Sequence, residues 1–188
     1  MKRIQLVKHR EEYYEEIFRL SSALPVKQAL GLPDGTVEDT KCFIQRVMEE
    51  EREGKTVPRV ILNEESKLIG LTDLMFINQQ KKSCHIGTWI GYEYWGQGYN
   101  EASKIAILQI AFEELGLHHV FAGARVVNIR SQKAQEKLPF IRLNVEAEFP
   151  EEHKALEKKE KQPCVLNVFC TEDFSNYLNS NDKITILS

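Results

Sequence analysis

The stretch from Ile86 to Asn100 reads Ile-Gly-Thr-Trp-Ile-Gly-Tyr-Glu-Tyr-Trp-Gly-Gln-Gly-Tyr-Asn. It is an apolar run, then a loop with Gly91, Gly96 and Gly98, then the start of a helical pattern. A glycine-rich turn that feeds a helix is suited to an anion. The first backbone N–H groups of a helix have no internal partner, and the helix dipole is positive there. Glycines let the backbone come close to a phosphate and take positive φ. The pattern therefore predicts a phosphate or pyrophosphate on the N–H groups from Gln97 through Glu101. On these residues alone, a plain strand-to-helix loop accounts for the glycines about as well. Two familiar phosphate motifs do not fit. The P-loop ends in Gly-Lys-Ser/Thr, whereas Gly98 is followed by Tyr99 and Asn100. The dinucleotide fingerprint needs a third glycine where Glu101 stands.

The elements around this segment follow from periodicity and breakers. Ile4, Leu6 and Val7 predict a short first strand. Lys8 to Ser22 is helix-friendly, with Tyr14, Ile17, Phe18 and Leu20 as core contacts. Leu24 to Gly35 carries Pro25, Gly31, Pro33 and Gly35 and reads as a loop or broken helix. Val37 to Glu53 predicts a second helix, stopped by Gly54. Three strands follow at Arg59–Leu62, Leu68–Ile77 and Cys84–Ile90, as an antiparallel meander. Asn100 to Leu115 is apolar over much of its surface, as for a buried helix. Val120 to Val127 predicts a strand, Ile129 to Leu138 a short helix, Phe140 to Phe149 a strand, and Val165 to Cys170 the last strand. Pro150 to Gln162 is a charge-dense insert, and the tail from Glu172 is polar and expected to make few contacts. The order is that of an α/β fold with a mixed sheet. The helix between Ile90 and Val120 serves as a crossover between parallel neighbours.

Bulk properties narrow the function. The chain has 188 residues, 42% hydrophobic and 28% charged, which suits one soluble globular domain over 1–188. A formal net charge of -3 gives no basic stripe for nucleic acid. No apolar run approaches the ~20 residues that span a bilayer. Cys42, Cys84, Cys164 and Cys170 form no Cys-x-x-Cys pair and predict no metal site. Reduced thiols and the absence of an apolar leader pattern predict a cytoplasmic protein with no membrane partner.

Several separate segments together resemble one family. Ile86-Gly-x-Trp-Ile90 followed by Tyr94-Trp-Gly-Gln-Gly-Tyr99 resembles the signature of GNAT acetyltransferases of the RimJ/RimL type. So do Ala111-Phe-Glu-Glu-Leu-Gly-Leu-His118, Asn128-Ile-Arg-Ser131 and Glu136-Lys-Leu-Pro-Phe140. The resemblance is sharp over 68–140 and fades beyond. It implies a GNAT-like fold: a mixed central sheet splayed between strands 4 and 5, flanked by about four helices. It implies acetyl-CoA as co-substrate and a primary amine as acceptor, whether a protein N-terminus, a polyamine or another small amine. Homodimers are common among such relatives.

By position, Trp89, Ile90 and Gly91 would offer backbone groups to the pantetheine arm. Trp95, Gly96, Gln97, Gly98, Tyr99, Asn100 and Glu101 would form the pyrophosphate loop. Asn128 would contact the cofactor near its thioester, and the Ser131 hydroxyl would lie nearest the sulfur as its proton donor. Asn128 is equally a favoured helix N-cap, and Ser131 an ordinary first-turn serine. The chain departs from the family at Ala102, where the branch has glutamate, and at Pro139, which removes an N–H from a turn. These departures keep open a second reading, a CoA-binding sensor without catalysis. An alkylammonium must lose a proton before it attacks. Asp73, His85, Glu146, Glu148 or a water are the candidate bases.

Overall fold

The structure, a computed structural model, describes residues 2–185. Six strands form one sheet in the order of the sequence: β1 (Ile4–Val7), β2 (Val57–Asn63), β3 (Leu68–Asn78), β4 (Ser83–Ile90), β5 (His119–Arg125) and β6 (Cys164–Cys170). All neighbours are antiparallel except β4 and β5, which run parallel. That pair meets only at Ser83↔His119, Cys84↔Val120 and His85↔Phe121. Beyond His85 the two strands part, so Ile86 to Ile90 has a partner on β3 but none on β5. The splay expected from the sequence is therefore present at the expected strands.

Among the described residues seven helices flank the sheet: α1 (Tyr14–Ser22), α2 (Leu24–Leu30), α3 (Val37–Arg52), α4 (Tyr99–Gln109), α5 (Ile129–Glu136), α6 (Pro150–Glu160) and α7 (Thr171–Thr185). Side chains alternate across a strand, so each strand serves two cores. On one face Leu71 and Val60 pack under Ile17 and Leu20 of α1 and Ile44 of α3. Phe121, on the same face of β5, packs with Leu156 of α6. On the other face Leu74, Ile86, Val120 and Ala122 meet Ile105 and Leu108 of α4. Helix α4 runs on through a π-helical turn, Ile110–Glu114, before Gly116 at φ 62.

One open expectation is resolved and two need correction. The segment from Leu24 to Gly35 begins as a helix: Pro25 stands in the first turn of α2, where its missing N–H costs nothing, and Gly31 at φ 67 closes the end. The segment from Phe140 to Phe149 is not a strand. It meets β6 at one bridge, Arg142↔Val168; Asn144 at φ 58 breaks the extended path, and Val145 N–H returns to Leu166 carbonyl at 2.9 Å. The polar tail from Glu172, expected to make few contacts, packs through its described residues, with 186–188 lying outside them. Helix α7 drives Phe174, 2% exposed, against Phe112 and Phe140. Together α2, α6 and α7 raise the helix count above the expected four or so. No helix among the described residues is long and apolar enough to cross a membrane.

One buried group makes the fold acid-sensitive. His9 is 4% exposed, and neither ring nitrogen has a hydrogen-bond partner. Burial lowers its pKa from 6.5 to about 4, with Glu51 opposing and Arg59 reinforcing the shift. The folded pKa lies below the unfolded one, so below about pH 6.5 the unfolded chain binds the proton first. Stability is then lost progressively down to about pH 4, by about 3 kcal/mol in all. His9→Leu is expected to remove this part of the pH slope, as read by urea unfolding midpoints over that range.

Candidate active site

The splay opens into a cavity of about 950 Å³ that runs through the sheet. One wall is built by α4 and α5, with Trp95, Asn100, Lys104, Asn128, Arg130 and Ser131. The other is built by α2, α6 and the rim of β4, with Leu30, His85, Glu152, Leu156 and Glu160. The ends of the walls are tied. Ala29 carbonyl, at the end of α2, accepts from Arg125 Nη2 and Asn128 Nδ2, both at 3.0 Å. Gly123 lets α6 close in, because a Cβ there would stand 2.4 Å from Leu156.

The predicted anion loop has the form its glycines imply. Gly96 lies at φ 74 and Gly98 at φ 88. Gly98 is the N-cap of α4 and no side chain caps that end. The first N–H groups of α4 therefore have no intrahelical or capping partner. The side chains of the loop are committed elsewhere. Gln97 Nε2 donates to Glu93 carbonyl at 3.0 Å, the buried Tyr99 hydroxyl donates to Glu64 at 2.8 Å, and Glu101 accepts from Tyr177 at 3.2 Å. What Gln97, Tyr99 and Glu101 present to a phosphate is thus their backbone. Arg130 lies 3.2 Å above the centre of the Trp95 ring, and the Trp95 indole donates to Ile90 carbonyl at 2.7 Å. This stack bridges the starts of α4 and α5 and puts a cation beside the loop. Desolvation lowers the Arg130 pKa from its ordinary value.

Of the residues expected to hold the cofactor, Trp89, Ile90, Trp95, Asn100, Asn128 and Ser131 line the cavity. Gly91, Gly96, Gln97, Gly98, Tyr99 and Glu101 lie outside its lining. For Gly91 the expectation must be corrected. Its N–H donates to Ile69 carbonyl at 2.8 Å and its carbonyl accepts from Tyr94 at 2.9 Å, so both backbone groups are spent inside the protein. The Asn128 amide is partly engaged: Oδ1 caps α5 by accepting from Ser131 N–H at 3.0 Å and Nδ2 donates to Ala29 carbonyl, which leaves one N–H and one lone pair. Ser131 Oγ accepts from Gln135 Nε2 at 3.3 Å, which leaves its own O–H to donate.

The candidate bases separate clearly. Glu146 accepts from Leu166 N–H at 2.8 Å and Glu148 pairs with Arg142, both away from the cavity lining. Asp73 accepts from Arg59 N–H at 3.3 Å, and burial pushes its pKa up to about 7 against that bond. It is not among the lining residues, because the chain beside it, Gly87 and Met75, forms the wall there. His85 does reach the cavity, and its Nε2 lies 3.1 Å from Glu152 Oε2. Cys84 is buried, its thiol pushed up to about 12, which excludes a thiolate nucleophile there.

Three contributors escaped sequence reasoning. Arg130 stood inside a quoted motif but had no assigned task. Glu152 was one acid among many in a mixed-charge insert. Lys104 is 6% exposed in an apolar helix, and burial lowers its pKa to about 7. A lysine one turn inside a helix read as buried was the available signal.

Comparison with known proteins agrees with this geometry. Residues 3–141 match the family model of the acetyltransferase (GNAT) domain. A putative ribosomal N-acetyltransferase of Bacillus subtilis (strain 168), YdaF, is 32% identical over 77 residues, 41% of this chain and 42% of that protein. An uncharacterized N-acetyltransferase of the same organism, YnaD, is 30% identical over 112 residues, 57% of this chain and 62% of that protein. The match thus spans less than two thirds of either relative. The fold is shared with spermidine N-acetyltransferase from Vibrio cholerae, solved in complex with CoA and spermine. Its TM-score is 0.70 at 14% identity, over 91% of this chain and 97% of that one. It is shared also with RimL, a ribosomal L7/L12 alpha-N-protein acetyltransferase, at TM-score 0.65 and 17% identity, over 74% of this chain and 77% of that one. The chain belongs to the GNAT acetyltransferase family.

Proposed function

We propose that the protein moves an acetyl group from acetyl-CoA to a primary amine by direct attack, with both reactants held in one cavity. The observation that carries this reading is the through-going cavity with two chemically distinct walls. The α4–α5 wall offers the helix N-terminus at Gly98, Arg130 and Ser131, which suit the phosphates and thioester of acetyl-CoA. The opposite wall offers the His85–Glu152 pair, which suits a cationic amine, while Glu160 there is offset by Arg125 and Lys159. The His85 ring, oriented by the Glu152 carboxylate, is placed to take the proton of the incoming ammonium. The freed amine then attacks the thioester carbon, and much of the acceleration comes from holding the two in line. The edge of β4 from Thr88 to Ile90, which β5 does not pair, supplies backbone N–H groups for the pantetheine arm and the developing oxyanion, the Ile90 carbonyl being held by Trp95.

The acceptor class is a protein N-terminal amine, a polyamine or another small amine. Solved neighbours include enzymes named for spermidine and for a ribosomal protein. The test is free-thiol release from acetyl-CoA with a panel of polyamines and short peptides with free N-termini. Turnover with at least one amine is expected, with mass spectrometry showing the acetyl group on its nitrogen. Tight CoA binding with no turnover on any amine would instead favour a sensor.

A further inference from the structure

Lys104 stands on α4 one turn beyond Asn100, on the wall assigned above to acetyl-CoA. Its Nζ lies 2.7 Å from Thr88 Oγ1, which lies 2.7 Å from Thr72 Oγ1, which lies 3.4 Å from Gly87 carbonyl. A carbonyl only accepts, so Thr72 donates to it, Thr88 donates to Thr72, and Lys104 donates to Thr88. This spends one of the three N–H bonds of an ammonium. Asp73 acts on Lys104 only through space, without a contact. A buried cation with open donor positions is costly unless something on the cavity side accepts them. Thr88 begins the Thr88–Ile90 edge where the thioester is expected, and Lys104, bonded to Thr88, lines the same cavity as that edge.

We propose that Lys104 is the acid that protonates the departing CoA sulfur, a role the family resemblance would give to Ser131. The inference rests on the acyl-transfer reading above. As the C–S bond breaks, its electron pair stays on sulfur, and one Nζ–H proton moves to it. The products are the CoA thiol and a neutral Lys104 amine, while the new amide forms on the acceptor. Lys104 regains its proton from solvent in the open cavity. The second proton lost by the acceptor ammonium leaves through the His85 side. An ammonium of pKa about 7 passes its proton downhill to an alkyl thiolate, whose thiol has pKa about 8.5 by analogy with cysteine. The Ser131 alcohol is a far weaker acid.

The charged and titratable groups that face this region are Asp73 on β3, His85 on β4, Arg125 on β5, Arg130 on α5, and Glu152, Lys158, Lys159 and Glu160 on α6. Of these, Asp73 is the charge that opposes the effect of burial on Lys104.

The experiment titrates the thiol of coenzyme A bound to the full-length protein by ultraviolet thiolate absorbance, in wild type, Lys104→Met and Lys104→Arg. Beside the ammonium, bound CoA is expected to be about tenfold or more acidic than free CoA. Lys104→Met is expected to abolish that gain while CoA affinity stays within a few-fold and the thermal midpoint rises, since a buried charge is gone. In turnover, Lys104→Met is expected to lower kcat about 100-fold. Lys104→Arg is expected to restore the acidity of the bound thiol, since it keeps the charge, but not kcat, since a guanidinium does not release its proton. A bound thiol that titrates alike in wild type and Lys104→Met overturns the inference and leaves acyl transfer standing. Failure of the wild type to bind CoA at all overturns both.

Discussion

Gly98→Glu is expected to reduce acetyl-CoA affinity by more than about 100-fold while the protein stays folded. Two effects add. Gly98 sits at φ 88, a conformation in which a side chain costs about 1–2 kcal/mol. That strain alone loosens the loop. The larger effect is electrostatic, because the new carboxylate occupies the uncapped start of α4 that the pyrophosphate needs. Sterics do not threaten the fold: a Cβ at 98 has Lys2 Cγ at 3.6 Å as its neighbour, an ordinary contact. Gly98→Ala separates the two effects, since it brings the strain without the charge, and a loss of only about tenfold is expected. Calorimetric titration with CoA, beside circular dichroism for the fold, checks both variants. Unchanged affinity in Gly98→Glu would remove the anion site from this helix start.

The donor side of the cavity was legible in the sequence because its signals are local. A glycine pair before an apolar helix dictates an uncapped N-terminus, and the structure shows it at Gly98. The splay followed from the resemblance at Ile86 to Ile90, and it appears where β4 and β5 part. Other features depend on long-range contacts, and no local pattern announces them. His85 reads as a half-exposed strand histidine until α6 brings Glu152 to it across 67 positions of chain. The polar tail reads as unattached until α7 folds Phe174 onto Phe112. Gly91 looked like a backbone donor because its place in the motif is right. Its N–H is lost to Ile69, a pairing that depends on β3 register rather than on the motif. Asn128 is both readings at once in sequence, and the structure shows the cap bond at 3.0 Å.

His85→Asn is expected to lower kcat about 100-fold or more while leaving the affinity for CoA within a few-fold of wild type. The reason is the division of the cavity between its walls. His85 lies on β4 with its ring toward Phe121 and Glu152, on the face covered by α6, whereas the groups assigned to acetyl-CoA project from α4 and α5. Asparagine keeps a polar contact to Glu152 but has no titratable nitrogen, so it fills the place without taking a proton. General-base losses of this kind are typically about 100- to 10,000-fold. Glu152→Gln is expected to fall between wild type and His85→Asn. It leaves the imidazole in place and removes the carboxylate that orients it and steadies its protonated form. The pair acts as a unit, so the double variant is expected to lose little more than His85→Asn alone. Steady-state kcat and KM for the best amine, with CoA affinity measured separately, check this. If His85→Asn keeps full kcat, the proton leaves by another route. If both variants weaken CoA binding as much as turnover, the two walls do not divide the substrates.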